Sequence, residues 1–86
     1  NRKSSCDPYI VVLQCDGRES EEAAFGFLER QVRRCAVKSK TVQPGSVELN
    51  MEVRLKDGRT DFVNALAGMP GVRSAVLVSY NGDYMG

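Results

Sequence analysis

The first stretch with a clear pattern is Tyr9-Ile-Val-Val-Leu13, five apolar residues in a row, three of them β-branched. A run this short, apolar on both faces, predicts a strand in the middle of a sheet. Pro8 stands just ahead of it, where a strand tolerates a residue without an N–H. Asp16-Gly17-Arg18 breaks the strand, and Ser20 followed by Glu21 and Glu22 reads as a helix start, a side-chain oxygen and carboxylates at the positive end of the dipole. At 100° per residue Ala24, Phe25, Leu28, Val32 and Cys35 form one stripe, with Phe27 at its margin and Arg30, Arg33 and Arg34 towards the far end. Val37 to Gln43 mixes β-branched and polar residues as an edge strand does. Gln43-Pro44-Gly45-Ser46 fits a type II turn. Beyond it Val47, Leu49, Met51, Val53 and Leu55 alternate with Glu48, Asn50, Glu52 and Arg54, which predicts a strand with one face in the core and one in water. Lys56-Asp57-Gly58-Arg59 is a turn. Thr60 or Asp61 then caps a short helix through Phe62, Val63, Leu66 and Ala67, which Gly68 ends and Pro70 cannot continue. Val72 to Tyr80 predicts a last strand with Val72, Val76, Val78 and Tyr80 on one side, Asn81-Gly82-Asp83 a turn, and Tyr84-Met85 the start of a further strand.

The order strand, helix, strand, strand, helix, strand predicts an α+β fold. With right-handed crossovers the first and third strands become central and both helices lie on one face. That is the ferredoxin-like βαββαβ two-layer sandwich, with an antiparallel sheet. Residues 1–8 read as a linker or disordered terminus and residues 9–86 as a single domain. The chain begins with Asn1, not Met, which reads as a fragment of something longer. Two helices cover only one face of such a sheet, yet the first strand is apolar on both. Its second apolar row predicts a surface covered by something else, most economically a second copy joined through the sheet face or an edge strand.

Composition narrows the chemistry. Twelve Lys and Arg against eleven Asp and Glu leave a net charge of +1, which points to neither nucleic acid nor anionic lipid. The absence of histidine removes the usual general base at neutral pH and the commonest metal ligand. Cys6, Cys15 and Cys35 form no CxxC pair, so no zinc site is expected, and an odd, sparse set suits reduced thiols in a cytoplasm. Cys15, just before a helix start, is the one thiol placed for activation. Glu48 and Glu52 share a strand face but stand roughly 13 Å apart, too far to act as a glycosidase pair. RNA-recognition modules share this topology, but the wet face of the third strand carries two carboxylates in place of stacking aromatics. The basic group Arg30, Arg33, Arg34, Lys38 and Lys40 reads as a solvated helix end. Metallochaperones of this fold need two cysteines after the first strand, where only Cys15 stands. No cofactor motif is present. The segment that invites a ligand is Cys15-Asp16-Gly17-Arg18-Glu19, where a central strand meets a helix N-terminus with free amides.

The stretch Phe62-Val-Asn-Ala-Leu-Ala-Gly-Met-Pro-Gly-Val-Arg-Ser-Ala-Val-Leu-Val-Ser79 resembles the last helix and strand of ACT-like regulatory domains, in which a leucine helix passes through a Pro-Gly-Val turn into an apolar strand. The segment Val76-Leu-Val-Ser-Tyr-Asn-Gly-Asp83 resembles the end of a family of bacterial multi-pass membrane proteins that carry an ACT-like cytoplasmic tail; MgtC-type proteins end in a similar module. The resemblance implies a non-catalytic regulatory or oligomerisation domain on the cytoplasmic side of an inner membrane, joined to it only through upstream segments. It also implies a ligand loop at Asp16, Gly17 and Arg18, although the proline-glycine pair usual after the first strand of amino-acid-binding members is absent. An alternative is the amino-acid-binding regulatory domain of a soluble metabolic enzyme. An acylphosphatase-type enzyme on the same fold would use Arg18 and Asn50, but no glycine-rich cradle surrounds Arg18. The expected partners are a second copy of the chain and a small-molecule ligand, with no nucleic acid.

Overall fold

A computed structural model describes residues 7–79, in the order β1 (Pro8–Cys15), α1 (Arg18–Gln31), β2 (Val32–Gln43), β3 (Ser46–Leu55), α2 (Asp61–Ala67) and β4 (Val72–Ser79). The strands form one four-stranded sheet in the order β2-β3-β1-β4, and every neighbouring pair is antiparallel. This is the ferredoxin-like arrangement, with β1 and β3 central as the element order requires. The turn expected at Asn81–Asp83 and the strand at Tyr84–Met85 lie outside the described residues, as do Cys6 and Tyr80.

The core lies between the sheet and the helices. Alternate residues of β1 (Val11, Leu13, Cys15) and of β3 (Val47, Leu49, Met51, Val53, Leu55) are buried there against Ala24 and Leu28 of α1 and Phe62 and Leu66 of α2. The strict alternation of β3 is thus the pleat of a strand with one covered face. Gly45 takes φ +75° in the two-residue turn between β2 and β3, as the Pro-Gly pair anticipates.

Several local expectations are corrected. The helix ends at Gln31, so Val32 and Cys35 belong to β2 and not to the α1 stripe. Both residues suit either element, since both face the core; the ten residues of β3 decide the matter. They pair with β2 from Gln43↔Ser46 back to Val32↔Leu55, which pulls the segment out of the helix. Arg33 and Arg34 accordingly lie on the edge strand, and of the three arginines only Arg30 sits in the last helical turn, where Lys56 Nζ caps its carbonyl at 2.9 Å. Phe27, at the margin of the predicted stripe, is partly buried against the core. In β4 the register skips Arg73, since Gln14 pairs with Ser74 but Cys15 with Val72. This bulge turns Val72 towards the core while Val76 and Val78 stay on the opposite face.

Ser20 is not the helix cap expected of it. Gly17 takes that position with no side-chain cap, and Ser20 is buried in the first turn, donating to Asp16 Oδ1 at 2.7 Å with the Gly17 carbonyl at 3.1 Å.

Candidate functional site

The strand-to-helix junction after β1 is locked to the loop before β4. The Asp16 N–H donates to the Gly71 carbonyl at 2.8 Å, and the Asp16 carboxylate takes the Ser20 hydroxyl. Gly71 is the middle residue of the Pro70-Gly71-Val72 turn and has φ +82°. A Cβ on Gly71 would stand 2.6 Å from both Asp16 Oδ1 and Ser20 Cβ, so both backbone conformation and space demand glycine here. Gly68 also ends α2, but in the right-handed region at φ −90°.

This junction parts the three loop residues singled out in the sequence. Asp16 lines a groove of about 420 Å³ with Glu19, Ser20, Met69, Pro70 and Gly71. Gly17 and Arg18 line another, of about 440 Å³, on the far flank of α1, closed by Lys40 and Val42 of β2 and the β2–β3 turn. In that second groove Lys40 Nζ meets a Glu21 carboxylate oxygen at 2.7 Å, while Arg18 pairs with Glu22 at 3.2 Å on the exposed helix surface. A chain turning from strand into helix sends neighbouring side chains to opposite flanks, and here the two flanks are separate hollows. Gly17 has an extended φ of 172° and open space at its Cβ position. Arg18 and Asn50, the pair an acylphosphatase-type site needs, are also not joined: Asn50 lies on the sheet face away from the helices and donates to Glu48 at 3.4 Å.

Cys15 does not gain the activated thiol its position suggested. Burial beneath α1 pushes its pKa up; a hydrogen bond with Ser20 pulls the other way, and the charges of Glu21 and Asp16 push it up again. Burial likewise raises the Cys35 thiol, with help from Glu29. Neither thiol sits in the electropositive setting that makes a nucleophile. Among the described residues no group of three Cys, Asp or Glu is placed to hold a metal ion, and no buried side-chain polar atom lacks a partner.

The most distinctive surface is the sheet face that the helices leave bare. Ile10 and Val12 of β1 pair with Val78 and Val76 of β4 across it, and the two β4 valines are 48 % and 45 % exposed. Beside this apolar quartet runs the polar row of β3. Gln14 Nε2 donates to Glu48 at 2.8 Å, with Ser74 donating to Gln14 at 3.4 Å; further along, Glu52 meets Arg54 at 3.4 Å and Lys38 at 3.8 Å. Glu48 and Glu52 are therefore engaged separately, as their spacing anticipates. One half of the face is greasy and the other is a charged, hydrogen-bonded belt. The alternating pattern of β3 foretold the belt; the doubly apolar β1 foretold half of the quartet.

Fold and surface together define a two-layer ferredoxin-like sandwich whose sheet carries a partly apolar open face. No protein-family model matches the sequence, and no curated protein matches it. Among solved structures, the chain is similar to the C-terminal domain of the MgtC protein from Mycobacterium tuberculosis, determined in solution. The match has a TM-score of 0.67 and 16 % identity and covers 93 % of this chain and 94 % of that one. At this identity the likeness is one of fold, and it spans nearly the whole of both chains.

Proposed function

We propose that this chain is a non-catalytic association module with a regulatory role, the cytoplasmic tail of a bacterial inner-membrane protein. The observation that carries the association is the apolar quartet on a sheet face without a helix layer, Val76 and Val78 exposed and Ile10 and Val12 half-buried beside them. Four branched apolar side chains side by side in water are costly to leave uncovered, and in a small domain such a patch marks a contact. The membrane setting is supported by the shared fold with an MgtC C-terminal domain. Among the described residues no helix is long and apolar enough to cross a bilayer, so attachment falls to other segments of the parent protein. Light scattering on the isolated domain at increasing concentration tests the association: a dimer or larger species is expected, and a monomer throughout would contradict it.

A second function is favoured by the groove at Asp16, Ser20, Met69 and Gly71, which pairs a carboxylate with an apolar wall. It suits the amino group of a small amphipathic ligand such as an amino acid. With Arg18 on the other flank of α1, a carboxylate-binding cation would have to come from elsewhere. A melting temperature raised by more than about 2 °C with one amino acid would support this ligand role, because only binding to the native state lifts the midpoint. No shift with any of the twenty would remove it.

A further inference from the structure

The open face of the sheet matches itself under a half-turn. Val37, Met51, Val11 and Leu77 form one row across all four strands. The residues flanking this row point to the open face. A half-turn about an axis lying along the row, just above that face, exchanges Ile10 with Val12 and Val78 with Val76. In β3 the same operation exchanges Glu52 with Asn50 and, one step further out, Arg54 with Glu48. Apolar positions thus fall on apolar positions, and an acid falls on a base.

Resting on the association proposed above, we propose the interface itself: two copies pack sheet on sheet through their open faces, strands antiparallel about this axis. Ile10, Val12, Val76 and Val78 of both copies form a shared second core, and Glu48 of each copy meets Arg54 of the other. The contact is isologous, as a closed two-fold dimer requires. Sheets packed face to face run within about 30° of each other, which keeps the central quartet in register and leaves the outer charges within reach of a long arginine. A half-turn parallel to the strands and centred on the sheet does worse, since it lays β1 over β3 and sets Ile10 and Val12 against Glu52 and Asn50. Four strands of 8 to 12 residues, about 3.4 Å per residue long and about 4.8 Å apart, give the face a flat area on the order of 600 Å² per copy, the lower end of a standard interface. Gln14 holds the Glu48 side chain on this face, so the acid is already placed for its partner.

The test is a charge exchange. Glu48→Arg and Arg54→Glu, each alone, set like charges together at two symmetric points, and each is expected to weaken the dimer roughly tenfold in sedimentation equilibrium. The double variant restores both pairs and returns the dissociation constant to near that of the parent chain. Within one chain the two residues lie six apart on one strand, about 20 Å, so rescue cannot be intramolecular. Val78→Asp, on the face, should also dissociate the dimer, while Val42→Asp, on the edge strand and away from it, should not. A dimer indifferent to the exchange and to Val78→Asp would overturn this interface and leave association by another surface standing. A parent chain that is monomeric would overturn both proposals, and a monomer that binds anionic vesicles would give the face to lipid instead.

Discussion

The two faces of the one sheet are built from similar residues and meet opposite surroundings. On the covered face Val11, Leu13, Met51 and Val53 have no exposed surface at all, sealed by Ala24, Leu28, Phe62 and Leu66 from above. On the open face Val76 and Val78 keep about half of theirs, although they differ from the core valines only in the parity of their positions. The covered face explains why the chain folds. Among the described residues the open face has no such cover, and its apolar half is best explained by what the domain touches.

The largest test of this contrast compares neighbours on β1. Leu13→Ala leaves a cavity in the sealed layer and should cost about 2–5 kcal/mol in denaturant unfolding. Val12→Ala, one residue away on the open face, should cost under about 1 kcal/mol at concentrations where the chain is monomeric. Equal losses would mean that the open face is packed within the single copy. Next in size is Gly71→Ala, which forces a side chain into left-handed backbone and against Asp16 and Ser20, and should cost about 2 kcal/mol or more. Gly17→Ala meets open space and extended backbone and should stay under about 1 kcal/mol.

A smaller effect separates the faces by pH. An unfolded thiol loses its proton near pH 8.5, whereas burial holds the proton on Cys15 to higher pH. Over the interval between the two, the native state binds more protons than the unfolded chain, so stability falls as pH rises. Below about pH 8 both states are protonated and the term vanishes. Cys15→Ala should therefore flatten the alkaline decline measured by thermal melting, and an unchanged slope would place the cause elsewhere. Smallest of all, Arg18→Ala breaks an exposed pair with Glu22 and should shift stability by less than about 0.5 kcal/mol.

Much of the fold was legible because pleat and period are written in residue order. The alternation from Val47 to Leu55 placed β3, the doubly apolar Tyr9–Leu13 placed β1 at the centre, and the element order gave the topology. The end of α1 was not legible, because Val32 and Cys35 face the core in helix and strand alike; only the length of the partner strand settles it. Nor could the bulge at Arg73 be seen, since a skipped residue leaves no mark in the pattern, and it moves Val72 to the other side. Gly68 ends α2 as its place before Pro70 anticipates, but the crowding by Asp16 and Ser20 that demands glycine at Gly71 is a contact between residues more than fifty positions apart. The same long-range lock divides the Asp16–Arg18 segment between two grooves.

The most direct measurement is an isotope-filtered nuclear Overhauser experiment on a mixture of labelled and unlabelled copies, which detects only contacts between chains. Methyl contacts from Ile10 to Val12 and from Val76 to Val78 across the interface are the expected result. Intermolecular contacts confined to Val37 and Val42 on the edge strand, or none at all, would contradict an open sheet face that closes on its own copy.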